Sequence, residues 1–214
     1  MGSRYADVVD AALVVAARDG LANLSMRAVA TQVGVTVMAL YRHLPNKEGL
    51  LDAMVGRMLS EVELPAAELE WTEQLRWIAR QMLALAERYP TVVPLLLTRT
   101  YNAPEAIRLV EVQYEILDRA GVPRRQVYRL ERMFSTQLLG YCIAVANNGF
   151  WASEPTSLTV GNVPDRRATA GRRRWASELD DNVTSFCRLV REEGRLASGA
   201  GQARGSRAPA KRRT

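Results

Sequence analysis

Residues 24–51 read LSMRAVATQVGVTVMALYRHLPNKEGLL, and this stretch decides the fold. A helix-turn-helix needs a small residue where two helices cross. It also needs a residue that tolerates positive φ in the turn, and an apolar residue in the second helix to lock it onto the first. Ala30, Gly34 and Leu40 supply these at the right spacing. Ser25 is an N-cap for a short helix that runs to about Val33, where Gly34 stops it, and Thr36 caps a second that reaches about Leu44. Val29, Val33 and Val35 complete the small core. Pro45-Asn46 then separates a longer helix over 47–62, with Leu51, Met54, Val55, Met58, Leu59 and Val62 at helical spacing.

On a helical wheel of the second short helix, Leu40 faces inward. Met38 and Arg42 then fall near the opposite side, flanked by Tyr41 and Ala39. This is the face that a recognition helix turns to the major groove. Arg42 is its strong hydrogen-bonding candidate, for a guanine edge or a phosphate. Val37, Met38 and Ala39 suit thymine methyls, and Tyr41 suits the backbone or a base. At the start of the preceding helix, Ser25 and its neighbouring N–H groups suit a phosphate and Arg27 reaches the groove. Lys47 opens the next helix and also fits a phosphate.

Outward from this motif, the chain reads helical. A first helix over 4–19 puts Val9, Ala12, Leu13, Ala16 and Ala17 on one face and ends at Asp19-Gly20. Pro65 marks a boundary. Helices follow over 71–89, 92–98, 104–120 and 124–149, punctuated by Pro90, Pro94, Pro104 and Gly121-Val122-Pro123. Residues 150–172 read as a long loop and 173–194 as a last helix. Alternating runs with hairpin turns are missing from the sequence, so the expected class is all-α. The expected domains are a DNA-binding head over 1–46, a helical regulatory and dimerisation body over 47–194 joined to it by the 47–62 helix, and a tail over 195–214.

Composition narrows the class. Hydrophobic residues are 48% of the 214 and charged residues 24%, an ordinary globular balance. No apolar run approaches the eighteen or so residues of a membrane span, the N-terminus lacks signal-peptide character, and two cysteines make no disulfide framework. A cytoplasmic protein with reduced thiols is expected. The net charge of +6 is unevenly placed: residues 1–50 carry 5 basic and 4 acidic side chains, and residues 51–194 carry 18 and 19. The last twenty carry Arg195, Arg204, Arg207, Lys211, Arg212 and Arg213 with no acid. That Gly-, Ser- and Ala-rich tail is expected to be disordered, either a solubilising segment or a nonspecific contact for phosphates.

The motif resembles the TetR family of bacterial repressors. The resemblance is carried by Leu24-Ser25-Met26-Arg27, Ala30, Val33-Gly34-Val35, Leu40 through Leu44, Asn46-Lys47 and Leu50-Leu51. It implies backbone contacts at Ser25, Thr36, Tyr41, His43 and Lys47, base-facing positions at Arg27, Val37, Met38 and Ala39, and either role at Arg42. Three base-facing positions here are apolar, which leaves the operator sequence open. Beyond the motif, Trp71-Thr72-Glu73-Gln74-Leu75 and Arg88-Tyr89-Pro90 look like the tetracycline-repressor type of C-terminal domain, which implies ligand binding and dimerisation.

The body's residues agree with that picture. The 124–149 helix shows Val127, Leu130, Met133, Phe134, Leu138, Tyr141, Cys142 and Val145. The 173–194 helix shows Trp175, Leu179, Val183, Phe186 and Val190 in one stripe. Two such helices from each subunit suit a four-helix dimer interface, and a dimer sets two recognition helices in successive major grooves about 34–36 Å apart on a (pseudo)palindromic operator. Candidate effector contacts are Met58, Trp77, Gln81, Tyr101, Tyr114, Phe134, Gln137, Tyr141, Asn147 and Trp151, each of which also reads as ordinary core. No cofactor or metal is implied, since His43 is the one histidine and it serves either helix packing or a phosphate. The leading expectation is a repressor released by a small apolar or amphipathic ligand. A constitutive DNA-binding regulator is a second reading. A helical enzyme or carrier is a third, which no Gly-rich phosphate loop, nucleophile elbow or metal-spaced cluster supports.

Overall fold

The computed structural model describes residues 2–99, 103–147 and 172–205. Among them the chain forms helices α1 (Gly2–Asp19), α2 (Met26–Val33), α3 (Val37–Tyr41), α4 (Lys47–Leu59), α5 (Trp71–Arg88), α6 (Leu96–Arg99, led by a 3-10 turn at Val93–Leu95), α7 (Pro104–Arg119), α8 (Arg124–Ala146) and α9 (Arg172–Gly205). No strand occurs among the described residues.

Local chemistry explains most of the boundaries. The Ser25, Thr36 and Asn46 side chains accept from the backbone N–H groups of Ala28, Ala39 and Gly49, so α2, α3 and α4 each start on a satisfied N-cap. At the other end of α2, Gly34 sits at φ +78°. The Gly34 and Val35 N–H groups return to the Thr31 and Ala30 carbonyls at 3.2 and 3.0 Å. This Schellman closure needs left-handed backbone, which glycine adopts without strain.

Several ends differ from the sequence reading. α3 stops at Tyr41 and not near Leu44, because the His43 and Leu44 N–H groups converge on the Leu40 carbonyl, both at 2.9 Å, and Pro45 bars helix at the residue before it. α4 stops at Leu59, with only turns through Val62. On α1, Val8 and Val15 are buried where Ala17 was expected and Ala17 is exposed. Val35 is 37% exposed and contributes little to the small core. α9 passes its expected end at 194 and continues to Gly205, so the first part of the supposed disordered tail is helical. The loop expected over 150–172 lies almost wholly outside the described residues.

The core is continuous from head to body. α1 packs on α2 and α4, and α2 on α3. α4 then reaches α6 and α7, and α8 sits among α5, α7 and α9. Leu40 (1% exposed) inserts from α3, and Leu50, Met54, Val55 and Met58 fill α4's buried face. One buried polar side chain organises the linker before α5. The Gln74 Nε2 group donates toward the Ala66, Ala67 and Leu69 carbonyls at 2.9–3.1 Å. Its Oε1 accepts from Arg119 Nη2 at 2.9 Å. Its burial is therefore hydrogen-bonded, as burial of an amide requires.

Candidate nucleic-acid interface

The candidate reading surface is the outer side of α3. With Leu40 buried, Met38 is 72% and Tyr41 44% exposed. Arg42 caps the helix with α-helical backbone (φ −67°, ψ −25°) and is exposed, so it keeps its place on the wheel beside Met38. Of the three apolar base-facing residues, only Met38 stands fully in solvent. Val37 and Ala39 are half-buried, and Val37 packs on the core. Arg27 and His43 are exposed as well. Among the described residues the side chains of Arg27, Arg42 and His43 form no hydrogen bond or ion pair, so their donors remain available.

The capping residues have a second capacity. The Ser25 and Thr36 hydroxyl oxygens accept from Ala28 and Ala39 N–H at 3.2 and 3.3 Å. A hydroxyl used as an acceptor still has its own proton to donate, and a phosphate oxygen is a natural recipient. Lys47 differs from the sequence reading: it is half-buried, and its Nζ donates to the Leu21 carbonyl at 3.3 Å. That bond tethers the start of α4 to the α1–α2 turn and leaves two ammonium donors.

Sequence reasoning missed how the head is fixed to the body. At one end of α4, Arg99 of α6 pairs with Glu48, donates to Asp52 at 2.8 Å and reaches the Glu48 carbonyl at 3.4 Å. At the other end, Arg57 Nε bonds Asp10 of α1 at 2.9 Å and its Nη1 bonds Glu61 at 2.9 Å. Glu61 also accepts from Tyr89 OH at 2.7 Å and pairs with Arg88 at 2.9 Å. Burial pushes the Glu61 pKa up, but the hydrogen bonds from Tyr89 and Arg57 and the charges of Arg88 and Arg57 outweigh it and hold the carboxyl below its usual range. Only the (i, i+4) spacing of Arg57 and Glu61 was visible in the sequence.

The effector candidates are scattered. Met58 is core, fully buried on α4. Trp77 is 38% exposed on α5, its Nε1 donating to the Glu63 carbonyl at 2.7 Å; Gln81 is half-buried on the same helix. Tyr114 meets Tyr128 edge-on at 5.1 Å, and Asn147 is exposed at the end of α8. Tyr101 and Trp151 lie outside the described residues. Phe134, Gln137 and Tyr141 do come together, on a notch of about 10 Å³ between α8 and α9. Tyr141 OH donates to the Trp175 carbonyl at 2.6 Å, and burial, then Glu178, raises its pKa above the ordinary phenol value. A larger cleft of about 280 Å³ opens between the end of α4 and the start of α7, lined by Leu59, Ser60, Val62, Leu64, Glu105, Arg108 and Leu109. None of the ten candidates lines it. The α9 stripe is spent inside the protomer, with Leu179, Val183, Phe186 and Val190 all buried. Cys142 and Cys187 are buried too, and burial pushes the Cys142 thiol up to about 12. As a thiol and not a thiolate, it is inert at neutral pH.

Comparison with known proteins agrees with this geometry. Residues 8–54 match the family model described as bacterial regulatory proteins, tetR family. Residues 64–171, half of the chain, match the tetracyclin repressor-like C-terminal domain. The chain belongs to the TetR family. Among its TetR relatives, the HTH-type transcriptional repressor DrrR1 of Streptomyces coeruleorubidus is 32% identical over 154 residues, covering 71% of this chain and 56% of that one. The chain thus spans little more than half the length of that curated relative. Two solved structures share the fold. Mycobacterium smegmatis BioQ has TM-score 0.71 at 21% identity, covering 88% of this chain and 98% of BioQ. Streptomyces coelicolor ActR in complex with actinorhodin has TM-score 0.65 at 20% identity, covering 86% and 96%.

Proposed function

We propose that the protein is a homodimeric, DNA-binding transcriptional repressor that acts in the cytoplasm and leaves a pseudo-palindromic operator when a small apolar or amphipathic ligand binds its body. The observation that carries this reading is the exposed face of α3, where Met38, Tyr41 and Arg42 stand out over a buried Leu40. Arg42 reads a guanine edge or a phosphate, Met38 meets thymine methyls, and Ser25, Arg27, Thr36, His43 and Lys47 hold the flanking backbone. The head carries almost no net charge, so affinity rests on these few groups and not on a broad basic field. The reading involves no catalytic step.

Parallels support the repressor, operator and ligand parts of this reading. DrrR1 is named a repressor, BioQ has been solved with its natural double-stranded DNA operator, and ActR with actinorhodin. The outer faces of α8 and α9 offer a partner the exposed Met133 and Gln137 and the half-buried Leu189. The 280 Å³ cleft suits the effector because it lies against the root of α4, the helix that carries the head. Arg108 and Glu105 give it polar handles and Leu59, Val62 and Leu109 an apolar floor. A ligand that favours one placement of α4 over another shifts the spacing of two heads by its differential affinity.

The test is a titration of DNA upstream of the protein's own gene. Wild type shifts it at nanomolar concentration with a steep salt dependence, and Arg42→Ala binds it at least fivefold more weakly. Equal binding by Arg42→Ala would remove α3 from the interface. A second titration concerns the cleft: Leu109→Trp, which fills it, leaves operator binding intact and abolishes release by whichever compound releases the wild type.

A further inference from the structure

α8 carries an acid where its core stripe calls for an apolar side chain. Val127, Leu130, Phe134 and Leu138 form its buried face, and Glu131 lies within that face at 6% exposed. An acid is rarely buried this far unless a cation neutralises it, because taking a charge out of water is costly. Among the described residues Glu131 has no cationic partner. Of the arginines near it on α8, Arg129 pairs with Glu193 of α9 and Arg132 is exposed. On α7, Arg119 is committed to Gln74 and to the Ala67 carbonyl.

The groups that do face Glu131 are neutral. Its Oε1 accepts from Ser135 Oγ at 2.7 Å, and the same hydroxyl lies 3.1 Å from Oε1 of Gln113 on α7. Gln113 is 3% exposed, and its Nε2 donates to the Leu109 carbonyl at 3.2 Å. A hydroxyl has one proton to give, and a carboxylate only accepts. Two side-chain oxygens in the α7–α8 seam therefore share a single donor. The seam lacks both positive charge and N–H groups. Gln74 is the contrasting case, because Arg119 and three carbonyls use both ends of its amide.

The seam reaches solvent on the side of Ser135, which is half-buried. There Tyr114 of α7 meets Tyr128 of α8 edge-on at 5.1 Å, and Tyr128 is 61% exposed. Tyr128 precedes Glu131 by three residues, a spacing that makes neighbours on a helix surface. Half-buried Val110 lies one turn before Tyr114. Aromatic faces attract cations, so the rings and the acid favour the same kind of ligand. A hard divalent ion is a poor fit, since it asks for six or more oxygens. The seam is also separate from the 280 Å³ cleft. Glu105 of the cleft and Tyr114 are nine residues apart, about 180° out of phase at ~100° per residue, so they stand on opposite flanks of α7.

We propose that the α7–α8 seam is a binding site for an organic primary ammonium. The ammonium has three N–H donors and no acceptor. It neutralises Glu131 and supplies the donor that Gln113 Oε1 lacks, while its apolar body lies against Tyr114, Tyr128 and Val110. This is a second small-molecule site, independent of the ligand assigned to the cleft.

The test titrates the full chain with 2-phenylethylammonium, and with 2-phenylethanol as a neutral analogue, by calorimetry and thermal melting. The ammonium is expected to bind one per chain and to raise the melting temperature by mass action, at least tenfold more tightly than the alcohol. Glu131→Gln keeps an acceptor for Ser135 and should weaken ammonium binding at least tenfold. Tyr128→Ala should weaken it about threefold; it alters an exposed ring and keeps the test open if Glu131→Gln does not fold. Equal affinity for ammonium and alcohol overturns the proposal, as does unchanged ammonium affinity in either variant. A wild type that binds no ammonium at millimolar concentration overturns it too. Loss of binding in Leu109→Trp, with Glu131→Gln unaffected, would put the ammonium in the cleft and overturn the seam. A wild-type dimer that comes apart in Glu131→Gln would show that the acid meets a cation of a second copy, which also overturns the proposal.

Discussion

The tip of the head and its junction with the body use polar side chains in opposite ways. At the tip, α2 and α3 are short and held by side-chain caps and the buried Met26, Val29, Ala30 and Leu40, and Arg27, Arg42 and His43 keep their donors free among the described residues. At the junction, α4 is held at both ends by charged pairs, Arg99 with Glu48 and Asp52, and Arg57 with Asp10 and Glu61. The difference follows from what each region must do. A surface that binds another molecule keeps its hydrogen-bonding groups unspent, because breaking an internal pair to contact DNA would cost about as much as the new contact returns. A surface that fixes orientation spends them on directional, long-range pairs. α4 is thereby set between α1 and the body by charged contacts at both of its ends.

The sharpest way to break the comparison is to remove what shapes the tip. Leu40→Ala deletes the side chain that locks α3 onto α2 at a site with little room to collapse, and should destabilise the protein by about 3 kcal/mol. Head disorder would accompany it, visible as early exchange of α2–α3 amides. Protection equal to wild type would mean that the caps and the buried face of α2 hold the tip without Leu40. Arg42→Ala asks the converse question. It should weaken operator binding by about 2 kcal/mol, or ~30-fold, with no change in melting temperature, because an unspent donor contributes to binding and not to stability. A fall in stability of similar size would show that Arg42 is engaged inside the protein after all.

At the junction, Glu61→Gln keeps an acceptor for Tyr89 and Arg57 but removes the charge, and should cost about 1.5 kcal/mol at pH 7. Its pH dependence gives the sign. Glu61's folded pKa lies below its ordinary value, so its contribution is fully present above that ordinary value and is lost as the pH falls through the lower folded one. Melting temperatures of wild type and variant should differ most at neutral pH and converge in acid. A gap that stays constant down to pH 3 would mean that shape, and not charge, matters at this position.

What the sequence disclosed follows the same division. Ser25, Thr36 and Asn46 each bond a backbone N–H three residues on, and Gly34 closes α2 over five, so these devices are written in short stretches. The inward Leu40 and outward Met38 and Arg42 follow from helical periodicity alone. The junction was illegible because its partners are far apart in the chain. Asp10 and Arg57 are separated by 47 residues and Glu48 and Arg99 by 51, and nothing local selects one surface arginine over another. Effector candidates chosen for being aromatic or amide fell into core, surface and notch alike, because composition does not say which helix ends converge.

The smallest predicted effect separates the two uses of one atom group at the tip. Ser25 accepts from Ala28 N–H, which stabilises α2, while its hydroxyl proton is free for a phosphate. Ser25→Ala loses both and should cost about 1 kcal/mol of stability along with some affinity. Ser25→Asp is the discriminating variant. Aspartate caps as well as serine, so the melting temperature should hold or rise slightly. Its carboxylate cannot donate, however, and it places a negative charge where a phosphate must sit, so operator affinity should fall by more than in Ser25→Ala. If Ser25→Asp binds the operator as tightly as wild type, the hydroxyl is a cap alone, and the phosphate contact at this corner must come from the N–H groups around it or from Lys47.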